Sequence, residues 1–370
     1  MGDYDYANAR LRAMKSRLFD AHTYAEWSSL ARLDDLIARL LESTYAEEVK
    51  AGLARYVGVR VVMEACRLHL AHTFCTLRDF FEGEGARLVG ILLARYDLHN
   101  LKTILRGQAA GVPAEELLEA LVPVSRRALG ATGAERGDLR SVELDESALR
   151  TLVREPDIAA TVDLLRTWNI RYARAIRRAF DEYVVTRDWL AFEAALDAIL
   201  YAQWLAALRR DAENDKMVRQ LLAREIDVLN VMTALRLRST ISTATTDAAE
   251  APAADVTRFL IQGGNLAPEQ LIELARVAPE NETLARLRAL PFNDALARIE
   301  TLDLVQIQCA LDRDLAHFGA SFFARDPLTI ATAIGFITAK NVEVKNIRLL
   351  AQGLALDWER AEIEKELIIV

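Results

Sequence analysis

The sequence predicts an all-α protein, and three observations carry that prediction. Apolar residues recur every three or four positions in nearly every long segment, the period of one helix face. No segment sustains a period-two alternation bounded by turn pairs. Gly (16) and Pro (8) are few for 370 residues, so little in the composition interrupts helices.

Taken in order, the segments read as follows. Residues 24–45 place Leu30, Leu33, Ile37, Leu40 and Leu41 on one helical face. Residues 83–90, GEGARLVG, cluster glycines after acidic DFFE and read as a loop. In 106–121, RGQAAGVPAEELLEAL, a Gly stop precedes Pro113 near a new helix start, with Glu115 and Glu116 suited to its first turn. Polar, Gly-rich 130–145 reads as a loop, whereas 157–184 and 189–208 return to helical periodicity. The small-residue, low-complexity stretch 239–255, STISTATTDAAEAPAAD, is the best linker candidate.

A short sentence is written three times. YDLHNLKTILRG (96–107), IDVLNVMTALRL (226–237) and VEVKNIRLLAQG (342–353) share an acid (Asp97, Asp227, Glu343). Asparagine follows three residues later (Asn100, Asn230, Asn346), and then an aliphatic residue. An apolar helical stretch precedes each copy, and a further helical segment begins 33, 34 and 35 residues before the acid, at Glu64, Glu193 and Gln308. An acid-rich helix start follows each. A unit of about a hundred residues exceeds solenoid repeats of about 20–50, so three copies of a small helical domain are expected, over 1–110, 111–245 and 246–370. Acid and asparagine share a helix face about 4.5 Å apart along the axis. One reading puts the acid in a first turn and has the asparagine bond a carbonyl of a neighbouring helix, locking a joint. The other has three equivalent helix ends grip a partner.

Charge and motifs exclude several classes. Net charge −8 and pI 5.4 disfavour a broad nucleic-acid face. Three cysteines form no disulfide framework and suit a reducing compartment. The start carries no signal-peptide h-region, and the longest nearly uncharged run, 327–339, falls short of the ~20 residues that span a bilayer. Cys66, His69, His72 and Cys75 offer metal-ligand types, but steps of three spread four side chains over half a helix circumference and about 13.5 Å, so no metal site is expected. None of the seven lysines follows a glycine, which removes a phosphate-cradling P-loop. No Gly-x-Ser-x-Gly elbow or His-Glu-x-x-His pair is present, so neither a cofactor nor a catalytic residue is expected. Arg166, Arg171, Arg174, Arg177 and Arg178 make a basic stripe, either a solvated face paired with nearby acids or a docking surface for an acidic protein.

The start YANARLRAMKSRL (6–18), the repeated YDLHNLKTILRG and EIDVLNVMTALRLR, and DPLTIATAIGFITAKNVEVKNIRLLAQG (326–353) together resemble the C subunits of vacuolar/archaeal-type rotary ATPases, counterparts of the eukaryotic d subunits. The resemblance covers essentially the whole chain. It implies a non-catalytic rotor component: three helical domains around a pseudo-threefold axis, forming a funnel on the cytoplasmic face of the membrane sector. The funnel would sit on the proteolipid ring and receive the central shaft of D and F subunits, coupling ATP chemistry to proton or sodium movement. Carried over by that resemblance are Asp97, Asn100, Asp227, Asn230, Glu343 and Asn346, with Arg106 and Arg236 at helix ends. The third copy departs, with Gln352 in place of the Arg and Glu343 in place of Asp, which weakens any role needing three identical charges. A three-domain helical scaffold outside any ATPase is the alternative.

Overall fold

The computed structural model describes residues 4–125, 144–168, 170, 172–244, 256–276, 278–292 and 295–370. Helices account for all regular structure among them. The chain divides into two compact units, residues 1–156 with 319–370, and residues 157–318. This division differs from the threefold one in sequence. The first and third motif copies lie in the first unit and the second copy in the second.

The first unit opens with four short helices, α1 (Asp5–Lys15), α2 (Ala21–Trp27), α3 (Leu33–Leu41) and α4 (Ala46–Leu53). They lead into a long pair, α5 (Val59–Arg78) and α6 (Gly83–Ala110), then α7 (Ala114–Ala120) and α8 (Glu146–Leu152). The second unit holds α9 (Ile158–Thr167), α10 (Ala173–Thr186), the long pair α11 (Trp189–Ala206) and α12 (Glu213–Ala244), then α13 (Pro268–Ala275) and α14 (Glu280–Arg288). Within α15 (Leu304–Ser321) the chain returns to the first unit, which it completes with α16 (Ala331–Ala355) and α17 (Arg360–Glu366).

Local chemistry sets several boundaries. Asp20, Asp145, Asp157 and Asp188 stand at N-caps, and their carboxylates accept from the amides of Thr23, Ala148, Ala160 and Ala191 at 2.8–3.0 Å. Gly111, at φ 69°, closes α6 in the left-handed region that glycine adopts without strain. Pro268 opens α13, where its missing N–H is no loss.

Two expectations about loops are corrected. GEGARLVG is the first two turns of α6: Leu88 and Val89 are fully buried, and that burial outweighs the ~1 kcal/mol by which each glycine disfavours a helix. The stretch 239–244 continues α12, since extending a formed helix is far easier than starting one. The rest of that linker, 245–255, and positions 130–143 of the other expected loop lie outside the described residues.

In the second unit, Val231, Met232, Leu235, Phe259, Leu274, Leu287, Phe292 and Leu311 belong to one apolar core. Arg224 is held beside it, its guanidinium 2.6 Å from the buried Asp314 carboxylate and stacked 4.3 Å from the Phe292 ring centre. In the first unit, α16 packs on α1, α3 and α5. From Ala331 to Ile337 every residue of α16 is buried.

Candidate functional site

The repeated asparagines do the same thing three times. Asn100 donates to the Val122 carbonyl (2.9 Å) and accepts from the Val122 amide (2.8 Å). Asn230 treats Ile261 the same way, at 2.8 and 2.8 Å. Asn346 does so with Ile368, at 2.7 and 3.1 Å. A side-chain amide thus imitates a neighbouring strand and clasps one residue by both backbone groups. All three asparagines are buried, at 0, 4 and 0% exposure, so neither bond competes with water. Val122 and Ile368 stand two residues beyond α7 and α17, and Ile261 follows the helical residues Val256 and Thr257. The partner is therefore a residue outside regular structure, just past helical residues, where a carbonyl on a neighbouring helix was expected, and its amide takes part as well.

The acids also sit elsewhere than expected. Asp97, Asp227 and Glu343 lie in the interiors of α6, α12 and α16, not in first turns, because the apolar stretch before each motif continues the same helix. Macrodipole complementarity, which fades beyond the first turn, does not explain them. Asp227 serves a turn: Oδ1 accepts from the amides of Asn265 (2.8 Å) and Leu266 (3.0 Å), and Oδ2 from Asn265 Nδ2 (2.8 Å). Gly264 lets the backbone approach, since a Cβ there would lie 2.3 Å from Asp227 Oδ1.

Glu343 joins different company. Its Oε2 accepts from the Phe19 amide at 2.8 Å, and its Oε1 from the Tyr45 hydroxyl at 2.7 Å and from the Lys340 ammonium. Lys340 and Glu343 are 3 and 2% exposed, an ion pair out of water that survives because each partner is bonded. Tyr45 is stacked 3.9 Å from the His69 ring, and His69 and His72 both face the Glu48 carboxylate, at 3.2 and 3.6 Å. Burial pulls the Lys340 ammonium below the ordinary lysine range against the attraction of Glu343. Burial, then the Glu343 charge, holds the Tyr45 phenol well above its usual value. Burial also lowers His69 and pushes the Cys66 thiol up to about 12. For Glu48, burial acts upward, but the hydrogen bond and charge of His69 outweigh it and leave the carboxyl low.

The remaining sequence candidates divide. Cys66, His69, His72 and Cys75 do lie on one continuous helix, α5, with both thiols buried, that of Cys75 donating to the Pro123 carbonyl, and both imidazoles turned to Glu48. Arg106 is exposed near the end of α6, whereas Arg236 stands well inside α12, which corrects its placement at a helix end. Of the basic stripe, Arg166 and Arg177 pair with Asp163 and Arg177 also with Asp181, while Arg171 lies outside the described residues.

Sequence reading missed the clasped residues, yet a signal existed. Each is preceded by leucine and is β-branched: Leu121–Val122, Leu260–Ile261, Leu367–Ile368. It also missed Gly107 and Gly353, which occupy one repeat position. A Cβ at either would meet a side chain of the following short helix, Leu117 at 2.1 Å or Ile363 at 2.7 Å.

The repeated asparagine is thus spent on clasping the chain's own backbone in each copy. The family model described as ATP synthase (C/AC39) subunit matches residues 7–366. Similar proteins include the C subunit of the A-type ATP synthase of Haloquadratum walsbyi, 30% identical with 98% of this chain and 97% of the relative covered. Its counterpart in Haloferax volcanii is 28% identical (99 and 97%), and that in Methanosarcina acetivorans 26% identical (100 and 93%). The chain belongs to the ATP synthase C/AC39 subunit family, and within that complex its part is non-catalytic. Membership sets aside the scaffold alternative.

Proposed function

We propose that this chain is the central-stalk socket of a vacuolar/archaeal-type ATPase, receiving a central shaft of D and F subunits and resting on the proteolipid ring of the membrane sector. The observation that carries the reading is the end-to-end family match, 98% of this chain against 97% of an archaeal C subunit. The clasp repeated in three copies supports it, because a coupler that passes torque must be stiff. On this reading the three copies are three similar domains, over 1–110, 111–245 and 246–370, set around a pseudo-threefold axis as a funnel. Asp97, Asn100, Asp227, Asn230, Glu343 and Asn346 hold the joints of those domains. No helix among the described residues is long and apolar enough to cross a membrane, so the ring is met through loops and helix ends on its cytoplasmic side.

The test is a pull-down with the purified D and F subunits together at low and at high salt. Retention at low salt that weakens as salt rises is expected of a polar socket. Absence of retention at both, with the protein shown to be folded, overturns the reading.

A further inference from the structure

The first and third copies end their long helices with the same bond and differ in what that turn displays. After α6 the Val112 amide donates to the Gly107 carbonyl at 2.8 Å, and after α16 the Trp358 amide donates to the Gly353 carbonyl at 2.9 Å. The turn puts one residue in the left-handed region, Gly111 (φ 69°) in the first copy and Asp357 (φ 54°) in the third. Around it the first copy carries Ala110 and Val112. The third carries Leu356 and Trp358, 66 and 40% exposed. In the second copy α12 runs through the equivalent positions, 240–242, without a corner.

The repeat does not demand this exchange. The first copy closes the same turn with small residues, whereas an aspartate in the left-handed region gives up backbone stability that glycine keeps. A leucine and an indole are left in water beside it. The indole is nonetheless held in place: a Cβ at Gly353 would lie 3.6 Å from Trp358 Cε3, so the ring lies against the end of α16 and has little freedom left to lose on binding. Acids flank the pair. Asp357, Glu359 and Glu362 are exposed, and no hydrogen bond or ion pair among the described residues engages their side chains. Arg360, the nearest cation in sequence, is spent on Glu364 at 2.7 Å.

Resting on membership of the complex, and not on which neighbour is the shaft, we propose that the Leu356–Trp358 corner is an anchor for a cationic, apolar-faced segment of another subunit. Tryptophan is enriched among the residues that dominate interfaces. Two side chains bury too little for a complex of their own, so the occupant is a subunit already held nearby by other contacts. The rim sets its chemistry: an apolar patch to cover Leu356 and the indole, with lysine or arginine beside it opposite Asp357, Glu359 and Glu362. An anionic lipid surface would accept the indole but repel the carboxylates around it.

The test puts the photoreactive residue p-benzoylphenylalanine in place of Trp358 in the purified, assembled complex and identifies the adduct by mass spectrometry. Expected is an adduct with a segment of another subunit that carries lysine or arginine within a helical turn of the captured residue. An adduct with lipid, with a segment lacking those cations, or with nothing outside this chain overturns the proposal. Two variants, each checked for folding by circular dichroism and melting, add a readout that a purely structural corner would not move. Leu356→Ser/Trp358→Ser should leave the complex at least about tenfold faster in a salt wash. Asp357→Gly should melt higher, because the left-handed turn is relieved, yet leave the complex sooner, because a rim charge is gone. Retention of both variants equal to that of the native chain refutes the anchor.

Discussion

Asp227 in the second unit and Glu343 in the first occupy the same place in the repeat, three residues before an asparagine that clasps a backbone residue in the same manner. Their surroundings have little in common. Asp227 holds a turn by two backbone amides and one side-chain amide. Glu343, one methylene longer, reaches the Phe19 amide, the Tyr45 hydroxyl and the Lys340 ammonium. The asparagine answers a demand made by the backbone, which is the same in every copy. The acid answers whatever the neighbourhood supplies. A repeated motif therefore keeps geometry at one position and only charge at the next.

That contrast can be broken most forcefully at Glu343. Glu343→Ala leaves Lys340 buried without its partner and is expected to lower stability by about 3–5 kcal/mol in denaturant unfolding. Lys340→Met/Glu343→Leu removes both charges and should recover most of that loss. If the double variant is as unstable as the single, the charge pair is not what the site is about.

The second unit should suffer less. Asp227→Ala strands two amides but no charge, for a loss of about 1–3 kcal/mol. Gly264→Ala presses a methyl group on the Asp227 carboxylate and should cost a similar amount, about 1–3 kcal/mol. In Asp227→Ala the added methyl should be better tolerated, so the two losses should combine to less than their sum. Simple additivity would show that Gly264 has another reason.

The smallest effect is one of pH. The folded pKa of His69 lies below the ordinary 6.5, so as pH falls through 6.5 the unfolded chain takes up a proton that the folded chain refuses, and stability is lost. Melting temperature should drop between pH 7.5 and 5.5, and His69→Gln should flatten the drop, with lowered His99 supplying the remainder. Glu48, lowered from 4.5, acts only in a more acid window. An unchanged slope in His69→Gln would remove His69 from the account.

The all-helical class and the three motif copies were legible in the sequence because both rest on periodicity, which burial enforces along every helix. The Asn100, Asn230 and Asn346 positions were legible for the same reason. Their partners were not: Val122, Ile261 and Ile368 lie 22, 31 and 22 residues away, and only the Leu–β-branched pair marks them. The Lys340–Glu343–Tyr45 network was invisible, since 295 residues separate Lys340 from Tyr45 and nothing local announces a buried lysine. GEGARLVG misled because glycine propensity is local and burial is not.

The central claim is that the thrice-written asparagine is a joint and not a grip. The most direct measurement is melting temperature alongside D and F affinity for Asn100→Leu, Asn230→Leu and Asn346→Leu. Each should melt lower, through about 1–3 kcal/mol for every stranded backbone group, while the folded fraction binds the shaft as tightly as the native chain. Unchanged melting with lost affinity in any of the three would contradict the account.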